Sequence, residues 1–168
     1  TLLYLFGFVS GWFVPKHVDS GPASAFWPAV VANVGLIGMF GLQHAVMARP
    51  SFKRAWTRVI PAPMERSTFV LIASVLIALI CLCWQPLPQV LWDFESPTIR
   101  GALHTLFAAG VALVLASSFL IDHFDLFGLR QVMLAYRGKP YSDRPFVERA
   151  IYRRVRHPLM LGFLIAFW

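Results

Sequence analysis

Charge is scarce in this sequence. Only 14% of its 168 residues are Asp, Glu, Lys or Arg, against about 25% in an ordinary soluble domain. Hydrophobic residues make up 58%, where about 45–50% is usual, and the mean hydropathy is +0.64. A soluble fold this apolar has too few polar groups to cover its surface, and so apolar a chain does not stay disordered. Cysteine is nearly missing. Cys81 and Cys83 lie at i, i+2 in an apolar run and point to different sides of a helix. That spacing suits neither a CxxC redox pair nor a metal site, so a disulfide scaffold is excluded and no metal centre is expected. Acids are few as well: eight Asp+Glu against fifteen Lys+Arg give a net charge of +7. In a soluble protein that excess would suggest nucleic acid. Here the bases gather between long apolar runs, as in cytoplasmic loops of a membrane protein, so no nucleic-acid partner is expected. No basic n-region or small-residue cleavage site marks a signal peptide.

What remains is a succession of apolar runs. They predict an all-α, polytopic transmembrane helix bundle forming one domain over residues 1–168. Its spans are expected at about 2–14, 23–47, 68–84, 99–121 and 159–168. That is four spans and the start of a fifth. The first run is short, the chain begins with Thr1, and the last run stops after about 15 Å of helix, so the chain reads as truncated at both ends. Residues 48–67 carry Arg49, Lys53, Arg54, Arg58 and Arg66 against Glu65 alone; residues 124–158 carry eight basic residues against Asp125, Asp143 and Glu148. The intervening loops are poor in bases. The positive-inside rule therefore places 48–67 and 124–158 in the cytoplasm, with the protein in a bacterial inner membrane. Both loops hold amphipathic stretches, Phe52, Trp56, Val59 and Ile60 in one and Leu129, Val132, Met133 and Tyr136 in the other. These are expected as interfacial helices on the lipid bilayer. Gly7 and Gly11, and Ala108, Ala112 and Ala116, are expected at helix contacts.

Few polar residues lie at membrane depth, and each needs a reason. Gln43 and His44 lie near the cytoplasmic end of the second run, with Arg49 just beyond; Asp122, His123 and Asp125 end the fourth; Arg156, His157 and Pro158 open the fifth. Taken singly, each has an ordinary explanation, such as a snorkelling arginine or a histidine at a helix C-terminus. Three clusters at one depth predict instead a polar pocket open to the cytoplasm. Pro158 suits the first turn of a helix, whose free N–H groups attract an anion. Arg156 adds a fork for carboxylate or phosphate, His157 adds a further polar group, and Gly162 leaves room for a ligand. Asn33, in the middle of the second run, is expected to make an interhelical hydrogen bond.

These residues also carry a resemblance. Tyr152-Arg-Arg-Val-Arg-His-Pro-Leu-Met-Leu-Gly162 resembles the RHPxYxG signature of membrane methyltransferases related to isoprenylcysteine carboxyl methyltransferase, with Met160 in place of the signature tyrosine. Leu42-Gln-His-Ala-Val-Met-Ala-Arg-Pro50, Met64-Glu-Arg-Ser-Thr68 and Phe119-Leu-Ile-Asp-His-Phe-Asp-Leu-Phe-Gly-Leu-Arg130 resemble the methanethiol S-methyltransferase branch, near the NnrU-type membrane proteins. The resemblance runs from about Leu42 to the end. It implies S-adenosylmethionine as cofactor, held by Tyr152, Arg156, His157, Pro158 and Gly162, and methanethiol as a small thiol substrate converted to dimethyl sulfide. The family continues for further helices, so residues 1–168 alone are expected to be inactive.

Under that implication the thiolate is the nucleophile. His44 and His123 are the candidate bases, with Gln43, Arg49, Asp122 and Asp125 around the substrate or behind the bases. Three other readings stand beside this one. A relative of the same fold methylates prenylated cysteine carboxylates. A haem-binding membrane protein would use His44 and His123 as axial ligands, against which stand their polar neighbours Gln43, Asp122 and Asp125; an NnrU-type, non-catalytic membrane partner would use its basic loops only as anchors.

Overall fold

The computed structural model describes residues 1–22, 24–87, 89–90, 93–142 and 150–167. Ala23 and Trp168, the expected outer ends of two spans, lie outside these, as do Asp143 and Glu148. Every regular element among the described residues is helical, and the fold is the all-α, polytopic one that the apolar runs predict. Three helices are long and apolar enough to cross a membrane: Phe26–Met47, Ala62–Cys83 with its opening 3-10 turn, and Pro97–Ile121. The protein is an integral membrane protein. Its contacts gather in two compact units, Thr1–Trp92 and Asp93–Trp168.

The first unit holds α1 (Leu2–Ser10), α2 (Phe26–Met47), α3 (Pro50–Trp56) and α4 (Glu65–Cys83). The helix α1 is shorter than the apolar run 2–14. Gly11 takes a left-handed φ of 72°, which ends the helix, and the chain folds back over Gly7. A Cβ on Gly7 would lie 2.7 Å from Val14 and 2.8 Å from the Trp12 carbonyl oxygen. These two glycines thus serve a reversal of the chain, where the spacing suggested a helix–helix contact. The α2–α4 pair carries the expected bond of Asn33, which is buried against the backbone of Gln85 just past α4. Cys81 is buried and Cys83 exposed, on different sides of α4 as their spacing requires. Lys16 donates to the carbonyls of Leu82 and Trp84, satisfying acceptors that a helix C-terminus leaves open.

The second unit holds α5 (Pro97–Ile121), α6 (His123–Leu126), α7 (Leu129–Tyr136) and α8 (Pro158–Phe167), with a 3-10 turn at Ala150–Arg153. Its centre is the α5–α8 pair. Gly110 and Gly162 meet there: a Cβ on Gly162 would lie 2.8 Å from the Val114 nitrogen and 2.9 Å from the Gly110 oxygen. Ala108, Ala112 and Ala116 are exposed, whereas Gly110, Val114 and Ser117 are buried. The contact stripe is small-residue packing, as expected in lipid, but on another face of α5. α5 stops because Asp122 adopts φ 113°, a conformation costly for a residue with a Cβ. Its carboxylate accepts the Asp125 N–H at 3.2 Å and caps α6, as Asp does at an N-cap.

Candidate active site

The second unit encloses an open cavity of about 860 Å³. Ile121 and Leu126 bracket the α5–α6 break on one wall. Tyr152, Arg153, Arg154, Arg156 and His157 come from the turn before α8, and Leu159 and Met160 from its first helical turn. Pro158 is buried at the helix start, and the Leu161 N–H already bonds the His157 carbonyl at 3.1 Å. The helix therefore begins at the residue whose missing N–H costs nothing there. Among the described residues the lining holds three arginines, one histidine and no acid, together with the apolar Ile121, Leu126, Leu159 and Met160. An elongated ligand with one anionic end and an apolar body suits such a wall.

Tyr152 is buried and its hydroxyl donates to the Ser117 carbonyl at 3.5 Å. Burial pushes its phenol above the usual range, against a smaller lowering by that bond, so it stays protonated at neutral pH. Gly162 departs from its expected role. It is filled against by Val114 and the α5 backbone, so it brings two helices together and leaves no space for a ligand beside it.

The structure places Asp122, His123 and Asp125 next to this cavity in the chain, one residue inside Ile121 and Leu126, but their side chains do not line it. The His123 ring stacks on Phe119 with centroids 4.5 Å apart and lies 4.6 Å from Phe127. Its Nδ1 is 3.2 Å from the Ser118 hydroxyl, whose own proton goes to the Leu115 carbonyl. That arrangement fixes the ring plane and gives Nδ1 the proton of a donor towards Ser118 Oγ. Asp125 is tied to Arg130, whose Nη1 lies 3.1 Å from its Oδ1.

Gln43, His44 and Arg49 belong to the first unit. His44 lies between Phe40 and Phe69, with ring centroids at 5.5 and 4.9 Å. Gln43 donates to the Met47 sulfur at 3.1 Å, and its Oε1 is buried without a partner. Arg49 is the exposed residue before Pro50, where α3 starts. Among lining residues, Arg153 and Arg154 were missed. Their signal was the run of arginines itself, Arg153, Arg154 and Arg156 within four residues at the RHP segment.

No family model and no solved structure matches the chain. Curated proteins do. The chain is 53% identical to a methanethiol S-methyltransferase of Mycobacterium tuberculosis over 98% of its own length and 68% of that protein's. It is 46% identical to one of Crocosphaera subtropica over its whole length and 66% of that protein's. A more distant relative is Nurim of Xenopus laevis, 28% identical over 81% of this chain and 50% of that protein. The chain spans about two thirds of the length of the two methanethiol S-methyltransferases. Similarity of this extent, running through the cavity wall, settles the family: the chain belongs to the methanethiol S-methyltransferase family.

Proposed function

We propose that the whole protein transfers a methyl group from S-adenosylmethionine to methanethiol, giving dimethyl sulfide, at the cavity of the second unit. The observation that carries this reading is that one cavity is lined by both cationic and aliphatic side chains. The cofactor ends in an amino-acid carboxylate and carries a flat adenine ring at its other end; the carboxylate finds cations here and the ring finds aliphatic side chains. Arg156, with Arg153 and Arg154, offers charge-assisted hydrogen bonds to a carboxylate. Leu126, Leu159 and Met160 keep water from the reacting end. Bound there, the cofactor supplies a methyl group whose donor sulfur ends as a neutral thioether, so no general acid is required.

The protein's own tasks are then positioning and removal of the thiol proton. Positioning supplies several kcal/mol. His123 is the proposed base: its ring is locked by Phe119, Phe127 and Ser118 beside the cavity and not in its lining, so it would take the thiol proton through a bridging water. A base of this kind contributes about 10²–10⁴-fold. The positive-inside rule, applied to the basic loop 124–158, supports a cavity on the cytoplasmic side of a bacterial inner membrane, where a charged cofactor would arrive from water and a small apolar thiol from lipid.

The test gives the purified whole protein S-adenosylmethionine and methanethiol and looks for dimethyl sulfide in the headspace. Product that disappears with His157→Ala supports site and reaction together. Cofactor binding without product redirects the acceptor, and a prenylcysteine analogue is then the next substrate to try. Absence of both cofactor binding and product overturns the proposal.

A further inference from the structure

Two acids adjoin the cationic wall in the chain, Asp122 beside Ile121 and Asp125 beside Leu126, and both carboxylates are already committed. That of Asp122 caps the Asp125 N–H. That of Asp125 is held at both oxygens: Arg130 Nη1 lies 3.1 Å from Oδ1, and the Tyr141 hydroxyl donates to Oδ2 at 3.3 Å. Its backbone is pinned as well, since Gln131 Nε2 donates to the Asp125 carbonyl at 3.3 Å. Arg130 in turn donates to the Ser142 carbonyl at 3.1 Å and lies over the Tyr141 ring, 5.3 Å from its centroid.

The pair is shielded. Side-chain exposure is 18% for Arg130 and 19% for Asp125, against 52% and 66% in the Arg100–Asp93 pair. Exposed pairs of the latter kind contribute little. A shielded, hydrogen-bonded pair holds its geometry, and removing one member leaves an uncompensated charge.

We propose that Arg130 and Tyr141 are positioning residues that sequester the Asp125 carboxylate, so that it does not compete with the anionic end of a ligand for the arginines of the cavity wall. None of the three lines the cavity. They act through Leu126, which their network anchors, and through the potential inside. This deepens the methyltransferase reading, on which the identity of the anionic ligand rests; the electrostatic claim itself does not depend on it.

The potential can be read directly. In whole protein whose native cysteines are replaced, Met160→Cys puts a thiol in the wall. Its reaction rates with a sulfonate-bearing and a trimethylammonium-bearing methanethiosulfonate are compared at low salt. Arg130→Met should lower the anion-to-cation rate ratio about fivefold, the size expected for one uncompensated charge about 10 Å away. Adding Asp125→Asn to Arg130→Met should restore the ratio to within about twofold. Tyr141→Phe should lower it less. If Arg130→Met does not fold, Asp125→Asn alone decides, and should raise the ratio. A ratio unmoved by these changes, or as low in the double variant as in Arg130→Met, overturns the proposal. S-adenosylmethionine binding to the unmodified protein is measured alongside. Its absence with the expected ratios would retire the cofactor reading and leave the sequestering role standing.

Discussion

The side-chain amide of Asn33 and the backbone of Gln85 exchange two hydrogen bonds, of 2.8 and 2.9 Å. Asn33 is 4% exposed, and its partner lies two residues beyond the end of α4, where the chain has no helical partner left for its polar groups. Asn33→Ala leaves a donor and an acceptor unpaired in an apolar setting. Neutral bonds contribute about 1 kcal/mol each in soluble proteins and about 0.6 between membrane helices. A loss of about 1–2 kcal/mol is expected, read as a lowered Tm in detergent. Ser24→Ala, which removes only a side-chain bond to Gln85, should cost less. An unchanged Tm for Asn33→Ala would contradict the account.

The α5–α8 contact should be intolerant of any side chain at Gly110 or Gly162. At Gly110 a Cβ meets the Ala166 nitrogen at 2.8 Å and the Gly162 oxygen at 2.9 Å. Both are backbone atoms, so relief requires moving a helix. Overpacking of this kind costs typically about 1–3 kcal/mol. Gly162→Ala and Gly110→Ala should each lower the Tm of the protein in detergent. Gly38→Ala is the control, since nothing lies within 4 Å of its added Cβ; there a small gain is expected from a stiffer unfolded chain. Equal effects at the three positions would remove the packing argument.

Helix positions were legible because length and hydropathy decide them, and the ends at Met47 and Ile121 agree with the sequence reading. The buried face of α5 was not legible. A helix apolar all round has no polar stripe to mark its outside, so Ala108, Ala112 and Ala116 read as well as Gly110 and Val114. The GxxxG of α1 misled for a related reason: the spacing cannot tell a helix contact from a glycine that ends the helix. Asn33 was legible because a lone amide in lipid needs a partner. Arg130 was not, because its pairing with Asp125 depends on the turn at Gly128, whose φ of 77° joins α6 to α7. The basic and apolar halves of the cavity follow from the Tyr152–Gly162 segment, while the aromatic box around His123 could be seen only once α5 broke at Asp122.

Burial sets the titration of Tyr152. Its phenol is raised above the ordinary value of 10.0, chiefly by desolvation. Spectrophotometric titration of the protein's four tyrosines should show one ionising later than the others, and Tyr152→Phe should remove that phase. The sign follows from linkage. A folded-state value above the unfolded one leaves stability intact below pH about 10 and erodes it as pH rises further. The variant should therefore lose less stability between neutral and strongly alkaline pH. A late phase that survives Tyr152→Phe would assign the buried phenol elsewhere.

The cationic wall makes a prediction about salt. Arg153, Arg154 and Arg156 line the cavity with His157, and an anionic ligand end would exchange its water for a charge-assisted bond to one of them. Bonds to charged groups contribute about 1.5–3 kcal/mol, so Arg156→Gln should weaken S-adenosylmethionine binding by roughly 10–100-fold in calorimetry on the whole protein. The contribution of Arg156, read as the ratio of wild-type to Arg156→Gln affinity, should shrink as salt rises, because the cavity is open and the arginine–carboxylate attraction is partly screened. Arg156→Lys should recover only part of the loss, because an ammonium keeps the charge and lacks the planar fork. Arg58→Gln changes an exposed arginine in the other basic loop and should leave both affinity and salt dependence as they were. Equal losses in Arg58→Gln and Arg156→Gln would mean that overall charge, and not this wall, attracts the ligand.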